Sequence, residues 1–311
     1  MITKQATANH EEWKALRHKY IGGSDAAAVV GMNNWVSPYS LWAEKTGRLP
    51  GFDGNLATEV GTYLEEFVAQ KFASETGKKV RKSNLSWFND QYPWAIANID
   101  REIVGEDAGL EIKTTDSLNM SKFKNGEYPG NYYCQCMHYM AVTGKQRWYL
   151  AVLIGNKEFK WFTIERDEDE IQALMDAEKK FKQLVDNDTP PVADGASATT
   201  DTLSALYPNS RDMGIGIGSF ERDLDNYMKL KERYKELGET IDGIENRIKA
   251  HLGECALGEG EKYKVSWKTQ SRTSFDSKKF VADHPEMDVS KYYKTINSRP
   301  FRVSEKKLGG K

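Results

Sequence analysis

Apolar residues recur along this chain at two periods, and the switch between them predicts the elements. "NHEEWKALRHKY" reads as a helix, followed by a glycine turn and a second helix, "SDAAAVVG", capped by Ser24 or Asp25. In "SPYSLWAEKTGRLP", Ser37 is the expected N-cap, Pro38 the first helical residue and Gly47 the stop. "NLATEVGTYLEEFVAQKFASETG" is a long helix ending at Gly77, with Val60, Leu64, Phe67, Val68 and Phe72 at three- and four-residue spacing. The period then falls to two, predicting strands at "KKVRKSNLSWF", "WAIANIDREIV" and "GLEIKTT", the last two joined by a hairpin turn at "GEDAG". A helix at "NYYCQCMHYMAVTG" leads to a second hairpin turning at Gly155–Asn156, and an acidic amphipathic helix runs from about Asp167 to Val185. This order predicts an α/β (α+β) fold with a central mixed sheet flanked by helices.

The Pro-, Ser-, Thr- and Asp-rich stretch at 189–214 reads as a linker between a core of residues 1–188 and a C-terminal region, 215–311. That region opens with Phe220, Leu224, Tyr227, Tyr234, Leu237, Ile241, Ile244, Ile248 and Leu252 at steps of three, four or seven. The spacing predicts one long helix or a helical hairpin, then a strand pair and a short helix begun by Asp276 or Ser277.

Composition narrows the class. In 311 residues, 39% are hydrophobic and 29% charged, ordinary for a folded soluble chain, and the net charge is −2. The C-terminal stretch from Glu261 carries thirteen Lys or Arg against six Asp or Glu, a local +7 compatible with DNA contact. No apolar run reaches the roughly 18 residues of a spanning helix, and the start lacks a secretory core, so the expectation is cytoplasmic, with no membrane partner. Three cysteines make no disulfide framework, and are too few for an iron–sulfur cluster held by four. The five histidines show no zinc spacing, and His138 reads as an ordinary helix residue.

Chemistry concentrates in "NID" followed by "LEIKTT". On a strand, Glu111 and Lys113 share one face while Leu110 and Ile112 take the other. Asp100, on the strand before, falls beside Glu111. Two converging carboxylates suit Mg²⁺ or Mn²⁺, the backbone carbonyl of Ile112 can complete the shell, and Lys113 can orient a water and stabilise charge on a phosphodiester. Glu65, on the preceding helix, is a candidate third carboxylate. Gln135 and Tyr139, at i and i+4 on the following helix, can hold a phosphate or a lytic water.

The segments "IGGSDAAAVVGMNNWVSPYSLWAEKTG", "GTYLEE", "NID" with "LEIKTT", and "YYCQCMHYMAVTG" resemble the YqaJ-type viral recombinase nucleases. That group includes the phage lambda exonuclease and belongs to the PD-(D/E)XK superfamily. The resemblance covers residues 11–165, with Ile99 standing where the superfamily usually has proline. It implies a restriction-endonuclease-like core and a Mg²⁺-dependent 5′→3′ exonuclease acting on the ends of linear double-stranded DNA. It further implies a phage or prophage origin, a single-strand annealing protein as partner, and a homo-oligomer in the form of a trimeric ring. By position it assigns Asp100, Glu111, Lys113 and Gln135 to catalysis and Glu65, Asp100, Glu111 and the Ile112 carbonyl to the metal. Arg17 and Ser24 match the residues that hold the 5′-phosphate, which an Arg fork and a hydroxyl at a helix start would suit. The competing expectations are a structure- or site-dependent endonuclease with the same metal core, and a DNA-binding recombination protein without catalysis.

Overall fold

The computed structural model describes residues 1–6, 10–295 and 298–305. The chain divides into two units, Met1–Tyr207 and Pro208–Lys311. In the first, the order is β1 (Ile2–Ala6), α1 (His10–Lys19), β2 (Ile21–Gly22), α2 (Gly23–Val29), α3 (Pro38–Lys45) and α4 (Leu56–Thr76). There follow β3 (Val80–Lys82), β4 (Leu85–Asn89), β5 (Ala95–Asn98), β6 (Arg101–Ile103), β7 (Ala108–Thr115), a 3-10 segment (Ser117–Phe123) and α5 (Gly130–Thr143). β8 (Arg147–Ile154), β9 (Glu158–Glu165), α6 (Glu168–Asp186) and α7 (Ser197–Leu206) complete it. Asn9, with which the expected first helix begins, lies outside the described residues.

Two sheets form. One runs β3-β6-β7-β8-β9, the other β1-β4-β5-β2. β7 and β8 are parallel over their full length and the remaining pairs of the five-stranded sheet are antiparallel, so that sheet is mixed, as expected. A parallel pair needs a crossover, and α5 is that crossover. It places α5 over one face of β7 and leaves the other to α4. Leu110 and Ile112 pack with Val68, Ala69 and Phe72 of α4, while Trp148, Leu150 and Val152 of β8 pack with Cys136, Met137 and Met140 of α5. Burial of Leu110 or Ile112 stabilises the fold by roughly 1.5–3 kcal/mol each. That gain fixes the register which turns Glu111 and Lys113 toward α5.

Caps follow their chemistry. Ser37 caps α3 with Pro38 at its first position, Asn55 caps α4, and Gly77 and Gly144 end α4 and α5 in the left-handed region. Four expectations need correction. α2 begins at Gly23, with Gly22 as N-cap, and Asp25 accepts the Gly22 N–H at 3.0 Å from the third position. Val60 and Phe67 of α4 are exposed, and the buried residues are Val68, Ala69 and Phe72, because the side of the helix that meets the sheet runs through Gly61, Glu65, Val68 and Phe72. "KKVRKSNLSWF" is two strands, β3 and β4, belonging to different sheets. The stretch read as a linker contains α7, whose Thr199 and Thr202 are buried, whose Leu203 and Leu206 pack on the α3 cluster and whose Thr199 hydroxyl lies 2.7 Å from Ser37 Oγ.

The second unit contains a short 3-10 turn (Gly218–Phe220), the 32-residue helix α8 (Glu221–Leu252), an antiparallel pair β10 (Leu257–Glu259) and β11 (Lys264–Ser266), and α9 (Ser277–Asp283) capped by Asp276. Residues 306–311 of the basic tail lie outside the described residues. Among the described residues, no helix is long and apolar enough to cross a membrane.

Candidate active site

The segment expected to be one strand, "WAIANIDREIV", breaks at Ile99–Asp100. β5 belongs to one sheet, β6 to the other, and Asp100 sits in the bend between them. The break has a local cause. Ile99 turns into the core, and the Asp100 carboxylate accepts the Ile112 N–H at 2.7 Å. β6 pairs with β7 only at Arg101↔Leu110 and Glu102↔Gly109. Beyond Leu110 that edge of β7 is open, and Asp100 satisfies its first free donor. In extended backbone a residue's N–H and C=O point to the same edge, so the Ile112 carbonyl faces the Asp100 side.

Glu111 is 2% exposed. Its Oε1 accepts from Gln135 Nε2 at 2.7 Å and meets Lys113 Nζ at 2.6 Å. Its Oε2 is buried without a hydrogen-bond partner. Lys113 also donates to Gln135 Oε1 at 2.9 Å and lies 5.4 Å from the centre of the Tyr132 ring. Gln135 spends its second N–H on the Tyr139 hydroxyl at 2.9 Å. Both of its N–H donors are thereby used, so it has none left for a phosphate and positions Glu111 and Lys113, while its Oε1 keeps one lone pair that a water could donate to. Tyr139, expected to contact DNA, is buried with its ring 5.3 Å from that of Trp148; its hydroxyl orients Gln135.

The electrostatics follow from this crowding. Burial, then the charge of Glu111, pushes the Asp100 carboxyl well above the usual carboxylate range. Burial raises Glu111 as well, against the pull of Lys113. For Lys113, burial opposes the charge, but the Glu111 and Asp100 carboxylates overcome it and push the ammonium up to about 12.

Glu65 is near enough for its charge to raise both acids, but its ion pair goes elsewhere. Its carboxylate pairs with Arg101 Nη1, and Arg101 Nη2 bonds Glu66 at 2.9 Å. Arg101 is 2% exposed and also donates to the Asp100 carbonyl at 2.8 Å, tying α4 to the bend that carries Asp100. Among the described residues, no group of three or more His, Cys, Asp or Glu could hold a metal ion. The cation donors that remain are Asp100, Glu111 and the Ile112 carbonyl. They fit Mg²⁺: hard oxygens, two carboxylates where one or two suffice, and in Glu111 Oε2 a buried oxygen without a donor.

Arg17 and Ser24 come together, Arg17 Nη2 standing 3.4 Å from Ser24 Oγ. Beneath them lies a pair that periodicity does not disclose. Lys45 of "SLWAEKTG" is buried and meets Asp25 of "GGSDAAA" at 2.6 Å, and it donates to the carbonyls of Arg17 and Tyr20. Burial would raise the Asp25 carboxyl, but Lys45, with Arg17 behind it, holds it below its ordinary value. This ion pair gives the two sequence segments their joint meaning: it fixes the end of α1 against α2 and α3. Gly23 is equally constrained, since a Cβ there would stand 2.4 Å from the Tyr139 ring. A continuous set of contacts thus runs from Gly23, next to Ser24, through Tyr139 and Gln135 to Glu111.

His138, one residue before Tyr139 and with its ring edge-on to that one at 6.0 Å, makes its hydrogen bonds elsewhere. It is fully buried, its Nδ1 2.7 Å from Glu178 Oε1 of α6 and its Nε2 3.0 Å from the Ile96 carbonyl.

A family model described as the YqaJ-like viral recombinase domain matches residues 12–146. A Bacillus subtilis (strain 168) protein, uncharacterized protein YqaJ, is 34% identical over 312 residues, covering 98% of this chain and 97% of that one. Among solved structures, an alkaline exonuclease from Laribacter hongkongensis aligns at 24% identity over 57% of this chain and 93% of its own, with a TM-score of 0.49. A phage related exonuclease from Haemophilus somnus 129PT aligns at 13% identity over 57% of this chain and all of its own, with a TM-score of 0.41. With a relative at this identity along nearly the whole of both chains, the protein belongs to the YqaJ-like viral recombinase family.

Proposed function

We propose that the protein is a Mg²⁺-dependent deoxyribonuclease that degrades linear double-stranded DNA from its 5′ ends, exposing the other strand to a single-strand annealing protein. The observation that carries this reading is the pairing of a buried, donor-free Glu111 oxygen with Asp100 and a charged Lys113. Asp100, Glu111 and the Ile112 carbonyl would hold the cation, which when bound supplies Lewis-acid polarisation of the phosphodiester. Lys113 stays protonated at neutral pH. It is therefore suited to stabilise negative charge on the phosphoryl oxygens and to orient a water through its N–H donors, not to withdraw a proton. Gln135 holds Lys113 and Glu111 at fixed separation, and Tyr139 holds Gln135. Arg101 holds Glu65 back and anchors the Asp100 bend. Arg17 with Ser24 offers a charged fork and a hydroxyl for a terminal 5′-phosphate.

The test is Mg²⁺-dependent digestion of three duplexes: linear with 5′-phosphate, linear without it, and covalently closed circular. Loss of the linear forms alone, fastest with the phosphate, is the expected result. Equal rates on both linear forms remove the Arg17–Ser24 seat. Cutting of the circle transfers the function to an endonuclease, and no cleavage of any form removes the enzymatic reading.

A further inference from the structure

Burying an arginine costs free energy unless its donors find acceptors and its charge finds a carboxylate. Arg101, the first residue of β6, is 2% exposed, and three oxygens converge on it. Nη1 is shared between Glu65 Oε1 and the Asp100 carbonyl, the latter at 2.8 Å, and Nη2 meets Glu66 Oε2 at 2.9 Å. Two carboxylates and a carbonyl are also the donors that a hard cation takes. The guanidinium therefore occupies a cation site of its own, adjacent in sequence to the Asp100 carboxylate.

Its two acidic partners differ. The Glu66 side chain is 63% exposed and also accepts from Gln70 at 3.1 Å. The Glu65 side chain is 24% exposed, and α4 carries it close to β7: a Cβ on Gly61, one turn earlier, would lie 3.2 Å from Thr114 Oγ1. Sharing one nitrogen with the Asp100 carbonyl keeps Glu65 Oε1 beside the Asp100 backbone. Glu65 is thus a neighbour of the two acids whose oxygen is engaged by Arg101.

We propose that Arg101 sets the affinity of the Asp100, Glu111 and Ile112 carbonyl site for a divalent cation by competing with that cation for Glu65. This rests on the metal reading of those three groups and adds a competitor built into the fold. While the guanidinium holds Glu65, the site has two carboxylates and a positive charge nearby, and both features weaken its grip on a cation. Without the guanidinium, Glu65 is free to add a third carboxylate. Both effects tighten binding when Arg101 is removed. A purely structural role predicts the opposite sign, because Arg101 ties α4 to the bend that carries Asp100, and slackening that bend loosens the site.

The experiment is titration of the full chain with Mn²⁺ in the absence of DNA, the free ion counted by its electron paramagnetic resonance signal. Arg101→Met should bind Mn²⁺ about tenfold more tightly than the parent, an ordinary size for coupling between two ligands. Glu65→Gln should weaken binding more in the Arg101→Met background than in the parent, because only there is Glu65 free to reach the cation. An Arg101→Met chain that binds as the parent does, or more weakly, overturns the inference. So does an equal effect of Glu65→Gln in both backgrounds. Should Arg101→Met lack the parent's circular dichroism, Arg101→Lys carries the test, since it keeps the charge but not the fork that spans three oxygens. It should bind Mn²⁺ more tightly than the parent, and parent-like affinity overturns the inference. A parent that takes up no Mn²⁺ removes the metal reading and this inference together. A parent that binds it, with no gain in the variants, removes this inference alone.

Discussion

Helix α5 holds two buried polar clusters on different sides, and they are built to opposite ends. On one side, Gln135 and Tyr139 meet Glu111 and Lys113. On the other, His138 meets Glu178 with both side chains fully buried. Each leaves one carboxylate oxygen without a partner, Glu111 Oε2 and Glu178 Oε2. The difference lies in charge balance and access. His138 and Glu178 are one base and one acid, sealed from water. The first cluster gathers two acids around one lysine, and Asp100 and Lys113 are only partly covered. A balanced, sealed pair fastens α5 to α6. An unbalanced, accessible one has room for a cation and a substrate phosphate.

Breaking the sealed pair should have the largest effect on folding. His138→Ala leaves Glu178 buried without its partner and should cost about 3–5 kcal/mol, read from urea midpoints. Activity per folded molecule should persist, and a variant as stable as the parent would show that the pair fastens nothing. Lys113→Ala should do the reverse. It is expected to lower cleavage by about 10²–10³-fold, the loss typical of a single charge-stabilising donor, with binding to uncleaved duplex largely retained. Parent-like cleavage in that variant would remove Lys113 from the chemistry.

The smallest effect is a pH slope. Burial opposes the charge on His138, but Glu178 and the Ile96 carbonyl, with Asp25 beyond them, overcome it and raise its pKa. The folded pKa thus exceeds the unfolded value of about 6.5. The resulting stability is fully present below about pH 6.5 and is lost as pH rises through the raised folded value. Urea midpoints should fall over that interval in the parent and fall less in His138→Gln. The same slope in both would assign it elsewhere.

What the sequence discloses is what local period controls. The alternation of Leu110, Glu111, Ile112 and Lys113 dictates which face each takes, and the i, i+4 spacing of Gln135 and Tyr139 puts both on the helix side that meets them. The caps at Ser37 and Pro38 and the stop at Gly77 are likewise local. Arg101 escapes notice because an arginine in a strand carries no sign of whether it meets water or, as here, two glutamates thirty-five and thirty-six residues away. Glu65 shows the same limit: its helix position is readable, its ion pair with Arg101 is not. His138 and Glu178 are forty residues apart, and Asp25 and Lys45 are joined only when three helices pack. Helix α7 presents Thr199, Thr202, Leu203 and Leu206 on its packed face, and two leucines are too few to mark a period.

Gly23 remains. Because the Tyr139 ring occupies the space a side chain would need there, the thickness of this contact is set at its minimum. On the proposed function it serves as a gauge block between the place where a DNA end would be gripped and the place where its backbone would be cut. Such a gauge would determine which phosphodiester, counted from the terminus, reaches the carboxylates, and so the length of the product released at each turnover.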